Sequence, residues 1–97
     1  MRISEAQAFV KEILERYNIK KAPLAALAGV LEELGELAST LLVKEGFKAK
    51  SSEVRLDYRL AETFFELLKL AEDCGVNLEK AFIKALKSWK SEKPRWL

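Results

Sequence analysis

The sequence lacks histidine altogether and has a single cysteine, Cys74, among its 97 residues. One cysteine excludes an internal disulfide. Without imidazole, any metal must be held chiefly by oxygen, which favours magnesium or manganese over zinc. No apolar run approaches the roughly 20 residues of a membrane span, and the opening Met1-Arg2-Ile3-Ser4-Glu5 lacks the apolar stretch of a secretory signal. A cytoplasmic protein with no membrane partner is expected. Charge of one sign is also missing: 17 basic against 15 acidic residues leave a net charge of +2, too near balance for nucleic-acid binding by bulk electrostatics. Glutamine, asparagine, cysteine and methionine are scarce beside lysine and glutamate, a bias of proteins from hot environments.

What remains is 49% apolar and 33% charged, the composition of a well-solvated helical globule, here a single domain over residues 1–97. A chain this short covers a small share of its own apolar surface, so a homo-oligomer, dimer or tetramer, is expected.

The patterning predicts four helices. Ser4 and Gln7 have the spacing of a capping box, opening a first helix over Glu5–Tyr17 with Ala8, Phe9, Ile13 and Leu14 at helical intervals. Pro23 suits the first turn of a second helix, whose Leu24, Leu27, Ala28, Leu31, Leu34, Ala38 and Leu42 form one apolar stripe ending before Gly46. A basic loop follows, in which Ser52 is placed to cap a third helix over Glu53–Cys74, terminated by Gly75. That helix carries an unusually broad apolar surface: Leu56, Leu60, Phe64, Leu67, Leu68 and Ala71, widened by Val54, Tyr58 and Phe65. Burial on two sides is expected, leaving a narrow polar strip of Arg59, Glu62, Glu66, Lys69 and Asp73. Asn77 caps a fourth helix with Leu78, Ala81, Phe82, Ala85, Leu86 and Trp89 on one face, closed by Pro94.

The second helix holds Glu32, Glu33 and Glu36, and the step from Glu33 to Glu36 sets two carboxylates about one turn apart. A second acidic helix alongside, carrying Glu62 and Glu66, completes an oxygen-rich cage of the kind magnesium accepts. Glutamates are also good helix formers on solvated faces, so the spacing alone does not separate a site from a soluble surface.

At these residues the sequence resembles the MazG-like all-α nucleoside triphosphate pyrophosphohydrolases, marked by Glu-Glu-x-x-Glu on one helix and Glu-x-x-Asp on the next. The first motif is intact as Glu32-Glu33-Leu34-Gly35-Glu36. The stretch Leu60-Ala61-Glu62-Thr63-Phe64-Phe65-Glu66-Leu67-Leu68 is similar to the family's third helix, and Cys74-Gly75-Val76-Asn77-Leu78-Glu79-Lys80-Ala81 to its entry to the fourth. The resemblance runs from Pro23 to Pro94. It implies an all-α four-helix bundle of MazG-like type completed by oligomerisation. It also implies hydrolysis of a nucleoside triphosphate to monophosphate and pyrophosphate with Mg2+, or Mn2+, as cofactor. Glu33, Glu36 and Glu62 become metal ligands, and Glu32 or Glu33 orients the attacking water. Two positions depart from the pattern. Arg59 stands where the family has a metal-binding glutamate, and Trp89 where many members carry a nucleotide-holding asparagine.

Arg59 lies one turn before Glu62, and either pairs with it in an ion pair that ends catalysis or contacts a substrate phosphate beside the metal. Glu66, one turn further on, restores the count of four carboxylates. Lys44, Lys48 and Lys50 in or near the loop and Lys84, Lys87 and Lys90 on the last helix are candidates for the phosphate tail, although lysines near a helix C-terminus also answer its dipole. Two other classes compete: a catalytically degenerate helical module that binds a nucleotide or a protein, and a nucleic-acid binder using Trp89 and Trp96 among Lys87, Lys90, Lys93 and Arg95. Trp89 is assigned to the core in preference.

Overall fold

A computed structural model of the chain describes residues 1–49 and 55–93. The assignments made above to Lys50, Ser52, Val54, Pro94, Arg95 and Trp96 lie outside the described residues. Four helices follow in order, α1 (Ile3–Arg16), α2 (Pro23–Lys44), α3 (Leu56–Asp73) and α4 (Leu78–Ser91), and there is no strand among the described residues. Among the described residues, no helix is long and apolar enough to cross a membrane.

The first three helices end alike. Asn18, Gly46 and Gly75 adopt left-handed backbone at φ 53°, 82° and 69°, and the amide two residues past each C-terminal cap returns to a carbonyl in the last turn: Ile19 to Leu14, Phe47 to Leu42, Val76 to Ala71. These are Schellman terminations, which satisfy carbonyls the helix itself leaves bare. Pro23 opens α2 at a position whose amide has no helical partner.

The start of α1 differs from the expected capping box. Arg2 is the N-cap, its backbone N–H donating to Glu5 Oε1 at 3.0 Å. Ser4 sits inside the helix and donates its own free first-turn N–H to Glu79 Oε1 of α4 at 3.2 Å. Glu79 also pairs with the Arg2 guanidinium at 2.6 Å. The missing acceptor is thus supplied by another helix, and a carboxylate at a helix N-terminus is favoured by the macrodipole as well. Gln7, freed from capping, is 7% exposed and ties α1 to the α3–α4 junction. Its amide donates to Glu72 Oε2 at 3.0 Å and to the Val76 carbonyl at 2.7 Å, and its Oε1 accepts from the Leu78 amide at 3.1 Å.

The core is small and lies between α1 and α3. Val10, Leu14 and Leu68 are buried together, with Ile3, Ala6, Phe65 and Leu78 packed around them. The hairpin of α2 and α3 packs through a different kind of surface. On α2 the buried residues are Ala26, Val30 and Thr40, with Gly29, Glu33 and Leu37 half-buried on the same side. The leucine stripe is turned away: Leu24 is 81% and Leu31 60% exposed, and Leu27, Leu34 and Leu42 stand in solvent as well. On α3, Leu68 and Ala71 are buried, but Tyr58, Leu60, Phe64 and Leu67 are exposed, so the expected two-sided burial is not met within one chain. Trp89 is 39% exposed on a helix with no buried residue, contrary to its assignment to the core. A stripe can be recognised by its period; which neighbour covers it is not a local property. The radius of gyration, 16.0 Å, exceeds the roughly 12–13 Å of a compact domain this long.

Candidate functional site

The polar strip of α3 faces α2, and small residues make room for it. At Gly29 a Cβ would lie 2.7 Å from Glu66 Oε2, so the absence of a side chain is what lets the Glu66 carboxylate rest against α2. Hydroxyls within the hairpin are satisfied along their own helices, Thr40 Oγ1 donating to the Glu36 carbonyl at 3.0 Å and Thr63 Oγ1 to the Arg59 carbonyl at 2.8 Å. At the far end of α3, buried Asp73 accepts from the Ala22 amide at 3.1 Å, fixing the start of α2.

Glu33 and Glu36 of α2 and Glu62 of α3 converge, each offering a carboxylate oxygen within 4.8 Å of the others. Among the described residues, Glu33 Oε2 is buried with no hydrogen-bond partner. Burial pushes the Glu33 carboxyl above its ordinary value of 4.5, and the neighbouring charges of Glu62, Glu36 and Glu66 push it further, against a smaller opposing effect of Arg59. Arg59 lies between the other two carboxylates: its Nη1 is 2.6 Å from Glu36 Oε2 and 3.4 Å from Glu62 Oε1. Of the two alternatives for Arg59, the pair with Glu62 is present in the absence of substrate, and the shorter contact, to Glu36 on the other helix, is one that sequence spacing could not reveal.

A cleft of about 420 Å³ opens beside the cluster, lined by Glu33, Glu62 and Glu66 on the acidic side and by Tyr58, Ala61 and Phe65 on the apolar side. Tyr58 and Phe65, assigned from the sequence to packing alone, are therefore cleft residues. No sequence signal marked them, because an aromatic on a broad apolar helix reads as core.

The other candidates are placed elsewhere. Glu66 lines the cleft over Gly29 but is outside the converging trio. Glu32 is exposed on α2 and takes no part in the cluster. Lys48 donates from Nζ to Ser39 Oγ at 2.7 Å in the loop after α2. Lys84 and Lys87 are exposed on α4, which packs against α1, and neither lines the acidic cleft. The donor set suits a hard divalent cation: three carboxylates from two helices, one with an orphaned buried oxygen, and no competing thiolate or imidazole.

Fold and cluster together define an all-α protein built on an acidic helical hairpin. No protein-family model matches the chain. It is similar to the uncharacterized protein YpjD of Bacillus subtilis (strain 168), 28% identical over an alignment of 97 positions that covers 96% of this chain and 85% of that one. Its structure is similar to the crystal structure of the "putative pyrophosphatase YPJD" from Bacillus subtilis, with a TM-score of 0.85 and 26% identity over 96% of this chain and 97% of that chain.

Proposed function

We propose that the protein is a metal-dependent nucleoside triphosphate pyrophosphohydrolase, releasing a nucleoside monophosphate and pyrophosphate. The observation that carries this reading is the convergence of Glu33, Glu36 and Glu62 around an unpartnered buried carboxylate oxygen. Likeness to a protein described as a pyrophosphatase supports it. Glu33, Glu36 and Glu62 would hold Mg2+ or Mn2+, and Glu66 lines the cleft beside them. When bound, the cation offsets the negative charge that builds on the phosphoryl oxygens.

Water adds to phosphorus, the anhydride oxygen between the α and β phosphates leaves with the pyrophosphate, and the water's proton passes to a carboxylate. Glu33, which lines the cleft, is placed to orient this water. Tyr58 and Phe65 offer the nucleobase an apolar wall. The two ion pairs of Arg59 favour a second reading, a binding module that holds the nucleotide without turning it over. A panel of nucleoside triphosphates incubated with magnesium and with manganese, scored for pyrophosphate, tests the first reading. Metal-dependent release supports it, and tight nucleotide binding with no release replaces it with the second.

A further inference from the structure

Arg59 puts a permanent positive charge where a cation is wanted. Its guanidinium spans Glu36 and Glu62 with one nitrogen at 2.6 and 3.4 Å. The side chain is 38% exposed, so it is held by these two carboxylates and not locked by packing. Glu33, the third member, has a buried oxygen that no donor reaches. One positive charge thus faces three carboxyl groups, touching two of them and leaving the third unsatisfied.

A divalent ion coordinated by the trio would share Glu36 and Glu62 with this guanidinium and be repelled by it. A triphosphate relieves that conflict, because it offers the guanidinium a planar pair of phosphate oxygens in exchange for the carboxylates. We propose that Arg59 is an internal counter-ion that the site exchanges for the divalent metal as the triphosphate arrives, so that metal alone is held weakly and metal with triphosphate strongly. This rests on the pyrophosphohydrolase reading and adds to it a coupling residue: Arg59 offsets part of the empty site's negative charge, then positions the phosphate tail. By linkage, whatever factor the triphosphate gains from Arg59's release the metal gains as well.

The signature is a pair of effects of opposite sign. Calorimetry with the intact protein measures Mn2+ alone, and separately the complex of an α,β-methylene nucleoside triphosphate with saturating Mn2+. Arg59→Gln should bind Mn2+ alone about tenfold more tightly than wild type and the manganese–analogue complex about tenfold more weakly, within the ordinary range of such couplings. Arg59→Lys keeps the charge but loses the planar fork. It should hold Mn2+ alone as wild type does and bind the complex more weakly, and it carries the test if Arg59→Gln does not fold. Changes of the same sign for both ligands, or no change in either, overturn the proposal while leaving the enzymatic reading to stand on wild-type binding and pyrophosphate release. If wild type and both variants bind neither ligand, the enzymatic reading fails too.

Discussion

Arg59 Nη1 lies 2.6 Å from Glu36 Oε2, so a cation that pairs with the acidic motif of α2 is supplied by α3. The pair joins the two helices across 23 positions of sequence and makes the hairpin's charge balance a tertiary property. Arg59→Glu inverts it. Four carboxylates then face one another, and the variant should melt below wild type in chelator. It should regain about 2.7 kcal/mol when divalent ion reaches a hundred times its dissociation constant. Pyrophosphate release should fall, because negative charge now meets the phosphate tail. Melting curves with and without Mg2+ check the first statement, and a variant indistinguishable from wild type in both would leave Arg59 a solvated helix residue.

Glu33 gives the fold a pH dependence whose sign is fixed by its raised pKa. The folded state binds this proton more tightly than the unfolded chain does, so its contribution to stability is full below 4.5 and is lost as pH rises through the raised value. Glu33→Gln, which mimics the protonated form, should match wild type in acid and exceed it in melting temperature at neutral pH in chelator. With saturating Mg2+ the order should reverse. A constant difference across the pH range would show that Glu33 does not titrate as its burial implies.

Glu79 works in the opposite direction. Hydrogen bonds from Arg2 and from the Ser4 amide hold its carboxyl below the ordinary 4.5, so its contribution is present above that value and lost as pH falls through the lowered one. Glu79→Gln should therefore loosen the start of α1 at neutral pH and change little in strong acid, as amide exchange at Ser4 would report.

Gln7 is the only glutamine in the chain and joins three groups of the α3–α4 junction. Gln7→Ala leaves the Leu78 amide and the Val76 carbonyl without these partners and should cost about 1–3 kcal/mol in chemical denaturation. The carboxylate cluster lies elsewhere, so Mn2+ affinity should be unchanged; a parallel loss of both would mean that the junction and the site are coupled.

We predict that the leucine face of α2 is covered by a second copy of the chain. Leu24, Leu27, Leu31 and Leu34 are exposed together on the side of α2 away from α3, and the radius of gyration is that of an unfinished bundle. Light scattering at micromolar concentration should give a dimer or tetramer, and Leu31→Glu should shift it toward the 11.0 kDa chain. A monomeric wild type would mean that this face is left to water.

Much of the fold was legible because its signals are local. Pro23, Gly46, Gly75 and Asn77 mark helix ends through backbone geometry and capping chemistry that a few neighbouring residues decide. The acidic motif of α2 was legible for the same reason, since Glu33 and Glu36 sit one turn apart on any helix. The Ser4 cap was misread because its role had been filled by Glu79, 75 positions away. Likewise the period of Leu24, Leu27, Leu31 and Leu34 named a face but not what lies against it.

By itself, then, the sequence determined four helices, several of their ends and a carboxylate motif, each dictated by torsional preference and a 3.6-residue period. Only the tertiary structure decided that Glu62 completes the trio while Glu66 rests on Gly29, that Arg59 reaches Glu36 as well as Glu62, and that the polar strip of α3 faces inward. Those are distances between helices, set by which small residues let two backbones approach and by where buried charge finds a partner.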